Sequence, residues 1–269
     1  MEFSDTLEDL AKKVRIDILK MTSKAGSGHP GGSLSCVDIL VAVYFKILNH
    51  KPNIPDWDDR DRFILSKGHA APALYSILAK CGYISERELN GFRNFGSILQ
   101  GHPDRKLPGV EVSTGSLGQG LSIAAGVALS AKMNRKNYYT YVLIGDGECD
   151  EGQIWEAAMF ASHNKLDNLI AIVDRNKFQI DDLTENVVAL EPFSKKWESF
   201  GWHACEIDGN NIHELVNIFR QIKPLTGKPK VIIAHTLKGK GISFMEGSNE
   251  YHGKCLTNEE CIRACKELS

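Results

Sequence analysis

The apolar and polar positions of the chain follow two periods, one typical of amphipathic helices and one typical of strands. Residues 7–25 carry apolar side chains at helical spacing, and Thr6 with Asp9 forms a capping-box pattern at the start of this segment. Further helices are predicted over residues 36–48, from residue 70 onward, over residues 117–132, 154–164 and 212–222, and after Thr257. Strands are predicted over residues 62–66, 138–144, 169–173, 202–207 and 231–234.

The order of these elements predicts an α/β fold class. Several of the strands are continuous apolar runs, which is typical of parallel strands covered on both sides. The sequence strand, helix, strand recurs, so we expect a parallel sheet with helices on both faces. No linker or repeat divides the chain, and residues 1–269 are expected to form one domain. Residues 94–113 run through Gly and Pro without clear periodicity, and a loop of that length is expected to serve function.

Composition narrows the class of protein. With 32 Lys and Arg against 34 Asp and Glu, the net charge of −2 offers no strong field for nucleic acid or an anionic membrane surface. No apolar run is long enough to span a bilayer. The seven cysteines include no CxxC pair, and the acidic start MEFSDTLEDL has no basic region followed by an apolar run. We therefore expect a cytoplasmic protein with reduced thiols.

Oxygen-bearing side chains follow two strands that we expect to be neighbours. Asp146 comes directly after the strand YVLI, and Asn176 follows the strand LIAIV within DRNKF. In open parallel sheets, ligands bind beyond the carboxyl ends of the strands. A carboxylate, an amide oxygen and a loop carbonyl make half of an octahedral oxygen set, and Mg²⁺ commonly fills the rest with phosphate and water. The pattern indicates a metal-bridged diphosphate, although GDG alone is a common turn and such residues also cap helices.

The longer phrase around these residues points to a family. GDGECDEGQIWEAAMFASHNKLDNLIAIVDRN (145–176) resembles the thiamine-diphosphate signature of the transketolase family. Five further stretches are similar to transketolase motifs and stand in the same order, namely SGHPGGSLS (27–35), SKGHAAPALY (66–75), GHPD (101–104), STGSLGQGLSIAAG (113–126), and GKG with YHG (239–253). Deoxyxylulose-phosphate synthase shares the first and the metal signatures, but SKGHAAPALY favours transketolase. The resemblance implies the thiamine diphosphate-binding fold.

The resemblance also assigns roles around the metal and the diphosphate. It implies that Asp146, Asn176 and the main-chain oxygen of Phe178 hold Mg²⁺ or Ca²⁺, with Asn176 also touching the cofactor. Phe178 departs from the aliphatic residue expected there, which a carbonyl ligand tolerates. The residues implied to contact the diphosphate are Gly147, His69 and His252.

Further positions are implied to serve the aminopyrimidine, the sugar and the interface. Gly115 and Leu117 match the positions that touch the aminopyrimidine, and Glu151 matches the glutamate that reaches toward a neighbouring subunit. The cavity for the sugar is implied to be lined by His29, His69, His102 and His252. These four of the nine histidines also abut Gly or Pro in predicted loops, where a histidine is more often placed to meet a ligand. For each one singly, a surface or structural position is the alternative.

Two other interpretations fit the sequence less well. GSLGQG could be a dinucleotide loop, but its glycines fall as GxxGxG, and no clear strand precedes it. The acidic residue expected further along is also missing. Cys255, Cys261 and Cys265 could suggest a metal site. However, Cys261 and Cys265 are four residues apart on a predicted helix, which favours packing.

The resemblance implies an enzyme that transfers a ketol group and whose cofactor site is shared with a second domain. In this family a glutamate on a separate pyrimidine-binding domain activates the cofactor, and that domain is expected to be missing from residues 1–269. We therefore expect the N-terminal subunit of a split transketolase acting on sugar phosphates. Its expected partner is a C-terminal subunit, in a homodimer within a heterotetramer. Two alternatives stay open: a ketol transferase for an unusual sugar, or a non-catalytic interaction subunit of the same fold.

Overall fold

A five-stranded parallel sheet forms the centre of the molecule. The computed structural model describes residues 6–180 and 182–269. In the sheet, the strands lie in the order β1, β2, β3, β7, β6, and every neighbouring pair is parallel. Their bounds are β1 Arg62–Leu65, β2 Thr140–Gly145, β3 Leu169–Arg175, β6 His203–Asp208 and β7 Lys230–His235. The short strands β4 (Phe178–Gln179) and β5 (Asp182–Leu183) pair antiparallel outside this sheet. The predicted α/β class is confirmed.

Helices cover both faces of the sheet, as predicted. On one face, alternate strand residues such as Phe63, Tyr141 and Ile172 share a core with residues of α1, α3, α4, α9 and α10. On the other, Ile64, Val142 and their equivalents pack with α5, α6 and α8. The helix bounds are α1 Leu7–Ala25, α2 Pro30–Ser35, α3 Val37–Ala42, α4 Ala71–Cys81, α5 Gln119–Met133, α6 Gly152–His163, α7 Thr184–Val187, α8 Phe193–Ser199, α9 Ile212–Ile222 and α10 Asn258–Glu267.

Several details of the sequence prediction are confirmed. The capping box at Thr6 and Asp9 is present at the start of α1, and α9 has the predicted bounds. All seven cysteines lie in the described part of the chain and are free thiols. Cys261 is buried and Cys265 partly buried on α10, as the packing interpretation expects. No helix in the described ranges combines the length and the apolar character that a bilayer crossing requires. Residues 1–5, part of the acidic start, lie outside the described residues.

The region between α1 and β1 differs from the prediction. The single helix expected over residues 36–48 is divided into α3 and a π-helical turn, Val43–Ile47, and the segment before it, expected to be a turn, contains α2. Helical structure already begins at Pro30, because proline needs no hydrogen-bond acceptor in a first turn and its φ is preset for helix. The helix predicted from residue 117 begins at Gln119 instead. Gly118 has a φ of 83°, a left-handed conformation that ends the preceding loop.

The topology places several loops at one edge of the sheet. Parallel strands all end on the same side, and Gly145 at the end of β2 lies in register with Asp174 near the end of β3. Residues 146 and 176 therefore follow neighbouring strand ends. The loops after β1 and β7 and the start of α2 reach the same edge. Most of the long segment between α4 and α5, residues 82–118, has neither α-helix nor strand, as expected for 94–113.

Candidate functional site

A cavity of about 270 Å³ opens at the carboxyl edge of the sheet. It lies where ligands bind in open parallel sheets. Most of the residues predicted for the site line it, coming from five separate segments of the chain. The predicted residues in its wall are His69, Leu117, Asp146, Gly147, Glu151, Asn176, Phe178 and His252. The folded chain thus brings together residues that are up to 183 positions apart, from His69 to His252.

Three predicted residues lie beside the cavity rather than in its wall. The ring of His29 stands 5.3 Å from that of His69 and 5.6 Å from that of His252, measured between centroids. His102 lies against Gly115, where an added Cβ would come within 3.2 Å of the imidazole. Gly115 also has a φ of 154°, so a larger residue would strain the backbone and press on His102. The four histidines therefore form one neighbourhood, but His102 is its outermost member.

Asp146 is a buried carboxylate at the end of β2. Its Oδ1 accepts the Gly147 N–H at 2.9 Å, and its Oδ2 accepts the Lys177 N–H at 2.6 Å. The guanidinium of Arg175 lies 3.3 Å from Oδ2. Burial and the charge of Asp174 raise the pKa of Asp146 to about 6, despite these donors. The raised pKa shows that the carboxylate has less positive charge around it than its burial requires.

Asn176 follows β3 and lies next to Asp146 along the sheet edge. Its Oδ1 accepts the Phe178 N–H at 3.1 Å, while its amide nitrogen faces Ser35 Oγ at 3.4 Å and Asp174 Oδ2 at 3.5 Å. These partners orient the side-chain amide. Asp146 and Asn176 supply hard oxygen atoms to the same cavity, as the sequence analysis expected.

A buried ion pair underlies this edge and was missed from the sequence. The ammonium of Lys67, just after β1, contacts the carboxylate of Asp174, and both side chains are at most 1% exposed. Lys67 also donates to the Gly32 carbonyl at 2.9 Å, and Ser35 Oγ donates to Asp174 at 2.5 Å. Burial opposes the charge on Lys67, but Asp174 outweighs it and the pKa of Lys67 is raised. In the sequence, the only indication of a role for Lys67 was its position directly after a predicted strand.

Lys238 is a second cation in the wall of the cavity. Its Nζ donates to Asn249 Oδ1 at 2.6 Å and lies 3.1 Å from His252 Nδ1. Because an ammonium can only donate, Nδ1 of His252 accepts, and the proton of the neutral ring is on Nε2. Burial and repulsion from Lys67 lower the pKa of Lys238 to about 8. Lys238 is thus the lysine of the cavity wall suited to a phosphate group, because the charge of Lys67 is paired with Asp174.

The histidines of this neighbourhood are neutral at physiological pH. Burial, followed by the charge of Arg93, lowers the pKa of His29 to about 4. Burial and Lys238 lower the pKa of His252 to about 4, and burial and Lys67 lower that of His69 well below its usual value. A neutral imidazole offers one donor and one acceptor. Such groups can bind sugar hydroxyls and donate to an oxygen that becomes negative.

Glu148 explains how the loop after β2 keeps its shape. Its carboxylate accepts the N–H of Gly145 and of Gly118, each at 2.9 Å, and also the hydroxyl of Ser66. Three loops that border the cavity are thereby joined by one buried side chain. The sequence offered no signal for this role, because the partners are distant along the chain.

These donors fit a divalent cation and a diphosphate. In residues 6–180 and 182–269, no three histidine, cysteine or carboxylate side chains come together as a metal site. A cation here would therefore depend on Asp146 together with amide and main-chain oxygens, which is an oxygen set suited to Mg²⁺ or Ca²⁺. The under-neutralised Asp146 suits the metal, and Lys238 suits the phosphates.

The charge of Lys238 predicts a pH dependence of phosphate binding. The ammonium is present below its pKa of about 8 and is lost as the pH rises through that value. Affinity for thiamine diphosphate is therefore expected to fall above pH 8, by up to about tenfold per pH unit. Lys238→Met should weaken binding about tenfold at pH 7 and abolish the fall in affinity above pH 8, as measured by calorimetry. Lys240→Met removes a partly exposed lysine two residues away, and it should leave both the affinity at pH 7 and the fall above pH 8 unchanged.

Comparison with known proteins agrees with the geometry. A family model described as "Transketolase, thiamine diphosphate binding domain" matches residues 6–268. The chain is 46% identical to one subunit of the apulose-4-phosphate transketolase of Phocaeicola vulgatus, covering 98% of this chain and 94% of that protein. It is 47% identical to the 6-deoxy-6-sulfo-D-fructose transketolase subunit SqwG of a Clostridium species, covering 97% and 96%.

A solved transketolase from Leishmania mexicana has the same fold. It superposes with a TM-score of 0.93 at 34% identity, over 99% of this chain. The chain spans only 42% of the length of that transketolase. The central sheet and its helices are thus the thiamine diphosphate-binding fold of those enzymes. The chain therefore belongs to the transketolase family and carries its thiamine diphosphate-binding domain.

Proposed function

We propose that this chain is the N-terminal subunit of a two-subunit transketolase, which transfers a two-carbon ketol unit from a ketose phosphate to an aldose phosphate. One observation carries the proposal. Asp146 and Asn176 follow neighbouring strand ends and line one cavity with two lysines and the neutral histidines His69 and His252. The relatives named as transketolase subunits have nearly the same length as this chain.

The residues of the cavity divide between the metal and the cofactor. Asp146, Asn176 and the main-chain oxygen of Phe178 would hold Mg²⁺ or Ca²⁺. The diphosphate would lie against Gly147, His69, His252 and Lys238, and Gly115 with Leu117 would touch the aminopyrimidine. When bound, thiamine diphosphate supplies a thiazolium carbon that adds to the ketose carbonyl and carries the two-carbon unit.

The chain's own contribution is to orient hydroxyls and stabilise charge. The Nε2–H of His252 is a donor because its Nδ1 accepts from Lys238. His29, His69 and His102 would serve the same sugar, each as a neutral ring that donates to one oxygen and accepts from another hydroxyl. Such preorganised donors stabilise an oxygen that gains negative charge during carbon–carbon cleavage.

Two helices that begin at the cavity have exposed apolar side chains, which supports a protein partner. Helices α5 and α6 begin beside Leu117 and Glu151, and farther along they expose large apolar side chains at Met133, Met159 and Phe160. Apolar patches of this kind mark protein interfaces. The cavity itself lies slightly below the range of about 300–1,000 Å³ typical of whole small-molecule sites. We infer that a C-terminal subunit with the pyrimidine-binding domain completes the site, in a homodimer of such pairs that Glu151 helps to join.

The relatives also favour the alternative that the sugar is unusual. Their names refer to apulose-4-phosphate and to 6-deoxy-6-sulfo-D-fructose, which supports including unusual ketoses, beyond the common ketose phosphates, among the candidate donors of this chain. The cytoplasmic location expected from the sequence and the unity of residues 1–269 as one domain stay predictions.

Reconstitution tests the proposal. The chain is mixed with a C-terminal transketolase subunit from the same organism, thiamine diphosphate and Mg²⁺, together with a panel of ketose phosphates and a labelled aldose phosphate. We expect mass spectrometry to show a two-carbon increment on the aldose only in the complete mixture. Transfer without thiamine diphosphate would overturn the proposal. A complex that binds thiamine diphosphate but transfers nothing across the panel would instead favour the non-catalytic subunit.

A further inference from the structure

The guanidinium of Arg93 lies between the two loops that carry His29 and His102. On one side, its Nη1 donates to the hydroxyl of Ser27, two residues before His29. On the other side it packs over Gly101, the residue before His102. A Cβ added to Gly101 would lie 2.7 Å from Nη2 and 3.0 Å from Cζ, so only glycine leaves room for the guanidinium there. One planar group thus contacts both histidine loops.

Arg93 has a strained backbone conformation and a buried donor atom without a partner among the described residues. Its φ is 58°, in the left-handed region that a non-glycine residue adopts only under constraint. Its N–H donates to the Leu99 carbonyl at 2.7 Å, which fixes this conformation. Its Nε is buried and has no hydrogen-bond partner among the described residues. Strained backbone and unpaired buried donors occur often at functional sites, which makes Arg93 a candidate for a role beside the histidines.

Arg93 also acts on both imidazoles electrostatically. After burial, its charge is the largest factor that lowers the pKa of His29 and of His102. Other charged or titratable groups also face His29 from the neighbouring elements, and these are His69, His102, His252, Lys67 and Lys238. Lys67 bonds to the Gly32 carbonyl, three residues after His29, whereas Arg93 contacts the loop at Ser27, two residues before it.

We propose that Arg93 is a positioning residue, which clamps the loops of His29 and His102 on either side of one guanidinium and keeps a cation next to both imidazoles. The branched guanidinium suits this position, because Nη1 bonds to Ser27 while Nη2 and Cζ lie close to Gly101, and a single ammonium nitrogen cannot reach both. The consequence is that the loops of the two histidines stay correctly spaced for the sugar. That this spacing affects turnover rests on the proposed function, whereas the histidine titrations can be measured independently of it.

The test measures histidine titration in the chain alone by NMR, using the Cε1–H signals. In Arg93→Met, the pKa of His29 should rise by about one unit from its value of about 4, and that of His102 should rise with it. Arg93→Lys should shift both less, because a cation remains. Arg87→Met, which removes an exposed arginine nearby, is the matched control and should leave both pKa values unchanged.

A second variant keeps the test decisive if Arg93→Met folds poorly. Ser27→Ala retains the charge but removes the anchor of Nη1. In the reconstituted enzyme it should lower kcat about tenfold. The thermal midpoint and the affinity for thiamine diphosphate should stay as in the unaltered chain. Unchanged titration of both histidines in folded Arg93→Met, or unchanged kcat in Ser27→Ala, would overturn the proposal. Failure of transfer in the unaltered complex would instead count against the proposed function.

Discussion

The Asp146→Ala chain is expected to lose at least about 100-fold in affinity for thiamine diphosphate in the presence of Mg²⁺. Asp146 would supply the only carboxylate among the three protein ligands of the cation, the others being an amide and a main-chain oxygen. Without it the metal loses its charged partner, and the diphosphate then loses the metal. Calorimetric titration of the chain with thiamine diphosphate, with and without Mg²⁺, measures the effect.

The control for this prediction removes a carboxylate that lies elsewhere. Asp56 is exposed on the loop before β1, so Asp56→Ala should bind the cofactor as the unaltered chain does. Folding of both variants is checked by thermal melting. If Asp146→Ala is folded and its Mg²⁺-dependent affinity is unchanged, Asp146 does not hold the metal.

The second large effect concerns stability rather than binding. Lys67→Met is expected to cost about 3–5 kcal/mol of unfolding free energy, since it leaves the fully buried carboxylate of Asp174 without its cation. The hydroxyls of Ser35 and Thr236 would still donate to Asp174, but neither neutralises it. Urea denaturation at neutral pH measures the change.

Two further variants separate the buried charge from a general effect of losing lysine. Lys80 contacts Asp17 at 3.2 Å and the exposed Glu86 at 2.9 Å, where solvent screens the charges, so Lys80→Met should cost about 1 kcal/mol. The double variant Lys67→Met with Asp174→Asn should recover much of the lost stability, because no unpaired charge remains. A single Lys67→Met chain as stable as Lys80→Met would contradict this account.

The arrangement of sheet and helices could be predicted from the chain because its signals are local. The apolar runs of β2 and β3 are buried on both faces of the sheet. A parallel strand that is covered on both faces is recognisable as a continuous apolar run in the sequence alone. The region of α2 and α3 was mistaken for a loop followed by one helix. There the backbone depends on tertiary contacts, such as the Gly31 N–H donating to the Tyr251 carbonyl at 3.1 Å.

The candidate site was predictable where residues follow strand ends. Asp146 and Asn176 could be placed together from topology alone, because adjacent parallel strands end side by side. The supporting residues were not predictable. Lys67 and Asp174 are 107 positions apart, and the pairing of two charges inside a core leaves no local pattern. The role of Arg93 likewise depends on a backbone conformation that the sequence does not reveal.

The shared cation at Asp146 and Asn176 is tested most directly by a crystal structure of the chain with Mn²⁺ and thiamine diphosphate, using the anomalous signal of the metal. The account predicts one peak within about 2.3 Å of both the Asp146 carboxylate and the Asn176 amide oxygen, with the diphosphate on the same ion. A metal bound by other residues, or a diphosphate bound elsewhere with Asp146 still held by Arg175, would contradict it.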